Sequence, residues 1–396
     1  MAELKNSRNS FEFRGKAIIT DKTFTIDKVN EAGTWQYNSL NFGIDCGDDG
    51  IHYVSLMGGF NPNGDNYIYV NMLDENGRFA NEQQKIAWED RFNITSKMSQ
   101  LNMIKLAINP ENNYAKETYL HAYDAIKKIQ EYLKNDMLIS VNGQIDFMPD
   151  TDSTGTVTWK PQFRVEGIYA RKSEGFVPFT SLRIVSLIDK ETIGKPNFED
   201  KTIPLYVKTA HYVNKVGKNK YNQVCLVPLK ILWNIKNYEN QPKGAELLKT
   251  AKEQIFTPSD EKFADELILK CRYTGGVQTV KPTIDDLPQQ LKTFIALGVL
   301  TEEQALSGEA VKNTIPSELE FVTLATTQDE NTKELKLARY PKKYALTEYR
   351  FFEDLTPIEN SFASSTSSTN SSKTISNSED FDSKGDIDDL FKLFAE

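Results

Sequence analysis

The order of the periodic segments predicts an α+β chain: a five-stranded β-barrel core carrying an enlarged helical insertion, a further β-rich segment, a helical C-terminal region and a disordered acidic tail. Three observations predict it. Apolar residues recur at every second position early in the chain, take helical spacing between 113 and 135, and return to alternation afterwards. Beyond 358 the sequence becomes a Ser/Thr/Asn run that ends in a cluster of acids and large apolar residues. The charge is also uneven: the net is −9, yet 137–236 holds fourteen Lys plus Arg against nine Asp plus Glu, while 358–396 holds eight acids against three lysines. A chain of 396 residues suggests two or three domains. A basic middle with an acidic end is the pattern of a nucleic-acid binder, whatever the average charge.

The elements follow in order. FEFRGKAII (11–19) places Phe11, Phe13, Gly15 and Ala17 on one face and Glu12, Arg14 and Lys16 on the other, a strand with one wet side. WQYNSLNFGIDC (35–46) sets Leu40, Phe42 and Ile44 opposite Trp35, Tyr37 and Asn41. IHYVSLMGGF and NYIYVNML, separated by NPNGD, read as a hairpin. Asn81 could cap NEQQKIAWEDRF, and 113–135 carries Tyr119, Tyr123, Ile126, Ile129, Tyr132 and Leu133 at helical spacing, about five turns. MLISVNGQIDF (137–147) and WKPQFRVEGIYARK (159–172) are strands again. Three strands, a helix and two strands is the order of an OB-fold, so 1–175 reads as an OB-like nucleic-acid-binding domain with an enlarged helix.

Residues 176–240 hold three more strand-like runs and read equally as a second β unit or an extension of the first barrel. Residues 241–357 read as mainly helical, from AELLKTAKEQIF and a helical pair in which Thr301 and Gln304 form a capping box. Residues 358–396 read as a flexible tether with an acidic tip.

No enzyme signature emerges. His52, His121 and His211 are isolated, Cys46, Cys225 and Cys271 are odd in number and far apart, and there is no phosphate loop, dinucleotide motif or nucleophile elbow. Asp48/Asp49 and Asp285/Asp286 read as solvated surface pairs. The expectation is a non-enzyme with no cofactor and no metal. No apolar run nears the roughly 18 residues of a membrane span, and residues 1–5 hold no apolar signal region, so a cytoplasmic protein without a membrane partner is expected.

The binding signal is stronger. A single-strand groove needs cations for phosphates and aromatic faces for bases. Arg14, Lys16, Trp35, Tyr37, Trp159, Lys160, Arg164, Arg171, Lys172, Lys208, Tyr212, Lys215, Lys218, Lys220 and Tyr221 combine the two on predicted strands and loops. The competing reading packs Trp35 and Tyr37 beneath the long helix and leaves the lysines as solubilising charge. In the tip GDIDDLFKLFAE, Ile387, Leu390, Phe391 and Phe394 share one helical face, with Asp386, Asp388 and Asp389 enriching its first turn. Such a segment is built to fold in a partner's groove.

An OB-like core, a polar linker and an acidic tip with aromatics resemble the single-stranded DNA-binding proteins of bacteria and especially of tailed bacteriophages. The resemblance covers 11–235 and 379–396. It implies a protein that coats exposed single-stranded DNA in replication, recombination and repair, with a tip that recruits replication or recombination proteins and restrains binding by competing for the groove. The bacterial tip Asp-Asp-Asp-Ile-Pro-Phe is replaced here by DDLFKLFAE. The chain is also longer than a bacterial single-strand binder, which favours a phage protein. An RNA binder, a protein-interaction or structural module without nucleic-acid binding, and a metal-dependent nuclease are the other readings.

Overall fold

The computed structural model describes residues 4–357 except 102, 152, 154–156, 217, 240, 242, 281–288, 303–310 and 329–333. The expected tail and its tip, Asp386 to Phe394, and Gln304 of the expected capping box lie outside the described residues. In chain order the strands are β1 Ser10–Ile18, β2 Phe24–Val29, β3 Gln36–Asp45, β4 Ile51–Phe60, β5 Tyr67–Leu73, β6 Phe79–Ala87, β7 Ile104–Ala107, β8 Glu117–Tyr119, β9 Leu138–Thr151 and β10 Val157–Ala170. They continue as β11 Phe179–Ile188, β12 Thr202–Val216, β13 Asn219–Asn234, β14 Phe263–Val280, β15 Val311–Leu324, β16 Thr326–Gln328, β17 Leu335–Leu337 and β18 Arg339–Ala345. The helices are α1 Ala122–Tyr132, α2 Lys236–Glu239, α3 Gly244–Ala251 and α4 Gln289–Ala296.

The pairings close two rings. β1 pairs β3, β3 pairs β4, β4 runs parallel to β10, β10 pairs β9, and β9 returns to β1. With α1 between the third and fourth ring strands, this is OB-fold order. The second ring repeats it: β11 with β12, β12 with β13, β13 parallel to β15, β15 with β14, and β14 back to β11. α2 and α3 occupy the position of α1. The interiors are filled by period-two alternation, Phe11, Phe13, Leu40, Phe42, Ile44, Val54 and Phe163 in the first barrel and Leu205, Val207, Val227, Ile231, Leu267 and Leu269 in the second. Gly15 is required where β1 turns onto β3, because a Cβ there would sit 2.1 Å from the Asp45 carbonyl oxygen.

The barrels are fused through β1, whose Ser10–Arg14 half pairs β11 while its other edge pairs β9. A buried polar joint reinforces the seam. The Asp49 carboxylate accepts from the Thr180 amide at 2.8 Å and its hydroxyl at 2.9 Å, and from the Arg272 guanidinium. Asp49 is thus a structural group and not the solvated surface acid its pairing with Asp48 suggested, since an ionised carboxylate can stay buried only when its oxygens are occupied.

Several expectations are corrected. The insertion between the third and fourth ring strands is not an enlarged helix: α1 has 11 residues, and the rest includes β5 to β8. Asn113 and Tyr114 take positive φ, which interrupts a right-handed helix, and His121 caps α1 by accepting from the Tyr123 amide. NEQQKIAWEDRF contributes most of a strand, β6, which pairs β5, so IHYVSLMGGF and NYIYVNML are not partners of one hairpin. Residues 241–357 are not mainly helical; α2 ends before this stretch, α3 and α4 are short, and β14 alone has 18 residues. The alternation Leu267, Leu269, Cys271 was the overlooked period-two signal. The strands of 176–240 are neither a separate unit nor an extension of the first barrel, because they complete a ring only with β14 and β15.

Candidate nucleic-acid interface

In an OB-fold the outward side of strands two and three is where oligonucleotides lie. In the first barrel those strands are β3 and β4. Because Leu40, Phe42, Ile44, Val54 and Leu56 face inward, alternation turns Tyr37, Ser39, Asn41, Tyr53, Ser55 and Met57 outward. Tyr53 is 57% exposed, Met57 65% and Trp35 39%, unusual values for residues this large. Register explains how the rings lie. Tyr37 sits across from Gly59 and Tyr53 across from Gly43. A Cβ on Gly59 would meet the Trp35 ring at 2.7 Å, and one on Gly43 would meet the Tyr53 ring at 3.5 Å. Each ring therefore has a glycine beside it, and both side chains are exposed.

The neighbouring strand adds charge. Arg164 is in register with Ser55, and Lys160, Gln162 and Arg164 all point outward and are exposed. Arg164 bonds Asp146 at 3.0 Å and Gln144 at 2.6 Å, and Lys160 pairs Asp150 at 2.5 Å. Exposed pairs of this kind contribute about 0–1 kcal/mol, so a phosphate can replace the carboxylates at little cost.

The turn bearing Trp35 is pinned to α1. The Asp27 carboxylate, next to that turn on β2, accepts from the Tyr123 hydroxyl and from Lys127 Nζ at 2.9 Å. These two bonds, the tyrosine's first, hold Asp27 below the usual carboxylate range despite some desolvation. The buried Asn38 completes the clamp, accepting from the Asp27 amide at 2.6 Å and donating to the Tyr123 carbonyl at 2.7 Å.

The other sequence-derived residues are scattered. Arg14 lies 4.6 Å over the Phe179 ring and Lys16 is exposed at the β1–β3 closure. Arg171 and Lys172 are exposed on the loop leaving β10, the former 5.9 Å over the Tyr169 ring. Lys215, Lys218 and Lys220 are exposed at the β12–β13 hairpin tip, where Lys215 pairs across from Lys220. Three assignments are overturned. Lys208 is buried against Asp189, its Nζ 2.5 Å from the carboxylate. Tyr221 is buried and Trp159 half-buried, their rings 5.1 and 5.5 Å from Phe352, so the two seal a core instead of offering stacking faces. Trp159 could not share a face with Lys160 and Arg164, since it is one residue from the first and five from the second on a strand of period two. Tyr53 and Met57 were missed, although the alternation of IHYVSLMGGF against Val54 and Leu56 places them outward.

The same surface of the second barrel is covered. Ala210 and Leu226, outward on β12 and β13, are buried under Tyr344, Leu346, Tyr349 and Phe351, with Leu4 beside them. The cover is tied down by the Leu226 amide donating to the Arg350 carbonyl at 2.7 Å and the Ser7 amide donating to the Ala210 carbonyl at 2.8 Å. Tyr206 and Tyr212 remain 47% and 44% exposed.

Burial holds His52, His121 and His211 below the ordinary imidazole range, and it raises the Cys46, Cys225 and Cys271 thiols, Cys225 to about 12. Among the described residues no group of three or more His, Cys, Asp or Glu could hold a metal ion, and no helix is long and apolar enough to cross a membrane.

No family model and no curated protein matches the chain. Among solved structures it is similar to the wild-type single-stranded DNA binding protein from Thermus aquaticus, at 10% identity and a TM-score of 0.26, over 68% of this chain and 86% of that one. A deletion mutant of the same protein matches at 12% identity and a TM-score of 0.28, over 68% of this chain and 87% of that one. Scores and identities this low establish neither a shared fold nor a shared activity.

Proposed function

We propose that the chain binds single-stranded DNA along the outward face of β3 and β4. The observation that carries this reading is the platform of Trp35, Tyr37 and Tyr53, two of whose rings stand beside glycines, together with the cations Lys160 and Arg164 on the neighbouring strand. Stacking on such rings contributes about 1–3 kcal/mol per base without sequence preference. The cations follow the backbone, so binding should weaken as salt rises. The protein acts by coating, without a catalytic step, in replication, recombination or repair of phage or mobile-element DNA in the bacterial cytoplasm. The acidic tip, Asp386 to Phe394, recruits a replication or recombination protein and competes with phosphates for the basic face; its three aspartates and the helical spacing of its four apolar residues support that role.

The test is fluorescence anisotropy of labelled poly-dT with the full chain and with a truncation ending at Ser378, at low and moderate salt. Salt-sensitive binding that tightens on truncation is expected. Absence of binding at low salt would overturn the reading and favour a protein-interaction module. Competition by single-stranded RNA separates an RNA binder, and incubation with Mg²⁺ exposes a nuclease.

A further inference from the structure

Between the third ring strand and α1 the chain inserts a two-stranded arm, β5 paired with β6. Alternation gives the arm two unlike sides. Val70 and Ile86 are buried against Met98, Met103 and Leu120, which anchors one side to the body. On the other side Tyr67 is 44% and Tyr69 63% exposed. Their cross-strand neighbours are Ala87 and Lys85, and Lys85 Nζ stands 3.5 Å over the Tyr67 ring. Two tyrosines two residues apart on one strand face lie about 7 Å from each other. No ion pair within 4 Å holds Lys85 among the described residues. This is the combination of exposed aromatic rings and a cation not paired with a carboxylate that a single strand needs.

The arm also starts where the barrel platform ends. Tyr37 pairs across from Gly59 and Gln36 from Phe60, the last residue of β4. Phe60 packs 4.7 Å from the Trp88 ring just after β6, and the Trp88 amide donates to the Asn66 carbonyl at 3.1 Å. Asn63 at the arm's base donates to the Gly33 carbonyl at 3.1 Å, on the turn that carries Trp35. The arm's root is therefore fixed to the Trp35 end of the platform.

Building on the proposed function, we infer that Tyr67, Tyr69 and Lys85 form a second site for the same DNA strand, the tyrosines stacking bases and the lysine holding a phosphate, so that the strand runs from the β3–β4 face onto the arm. The test compares the full-length wild type with Tyr67→Ala/Tyr69→Ala and Lys85→Gln on oligo-dT of about 8 nucleotides, within one barrel's reach, and of about 30. The double variant is expected to bind the long oligonucleotide about tenfold or more weakly, with the short one unchanged, and Lys85→Gln to flatten the salt dependence on the long one alone. All of these side chains are exposed, and circular dichroism melting confirms that the variants stay folded. Wild-type affinity of the double variant for the long oligonucleotide overturns the arm site and leaves the barrel reading intact. An equal loss on both lengths also overturns it, since the tyrosines would then act through the barrel. A wild type that binds neither length removes both readings together.

Discussion

The two barrels share strand order and interior chemistry, yet their corresponding outer faces differ. In the first, β3 and β4 carry rings and Met57 in the open; in the second, β12 and β13 carry Ala210 and Leu226 under a cover from Tyr344 to Phe351. The side chains match the difference. The open face has glycines opposite aromatics and polar Ser39, Asn41 and Ser55 between them, while the closed face has small and aliphatic residues that need burial. One topology thus leaves an open surface in one copy and a packing surface in the other, and outward residue type decides which.

Four tests would break or sharpen this contrast. The largest effect belongs to Leu226→Ala, which opens a cavity under the cover and should cost about 2–5 kcal/mol, read as a lowered urea midpoint; Met57→Ala on the open face should leave that midpoint unchanged. If both shift the midpoint alike, the faces do not differ in kind. Next is Arg339→Ala, at the root of the cover. Asp265 is fully buried and accepts from Ser259 Oγ at 2.6 Å, from the Lys342 amide at 2.9 Å and from Arg339 Nη2 at 2.6 Å. Burial raises its affinity for a proton, but the bonds from Ser259, Lys342 and Arg339 together outweigh this and hold the carboxyl below its usual value. Losing Arg339 should cost roughly 3 kcal/mol. Because the folded carboxyl is depressed, its contribution is complete above about pH 4, the unfolded value, and is lost as pH falls through the lower folded value. Unfolding midpoints measured from pH 7 to below 4 should therefore show a wild-type acid loss that Arg339→Ala reduces.

Smaller effects concern binding. Trp35→Ala and Tyr53→Ala should each weaken poly-dT binding about tenfold, while Tyr206→Ala beside the covered face should change it little; the reverse ranking in anisotropy titrations would move the site to the second barrel. The smallest is Arg164→Gln, which should lower the slope of log affinity against log salt by about one, whereas Lys208→Gln, already occupied by Asp189, should leave the slope unchanged and lower stability.

Much of the first barrel was legible because its strands have one buried face, so period-two alternation marked β1, β3, β9 and β10 and put Trp35 and Tyr37 on the outside. Alternation also contained Tyr53 and Met57 and excluded Trp159 from the company of Lys160. The second barrel was not legible. Alternation at Leu267, Leu269 and Cys271 marked its fourth strand, but no local period reports which strands that one pairs with, and the ring exists only through those pairings.

By itself the sequence determined which side of each alternating strand is apolar, because that depends only on the two-residue repeat of the backbone. Only the tertiary structure decided which apolar or aromatic side chain is covered. Tyr53 and Tyr221 are both tyrosines on strands; one stands exposed on the outward side beside a glycine, and the other is closed off by Phe352, 131 residues along the chain. That distinction rests on contacts between distant segments, which set burial, and burial sets whether a ring can meet a base.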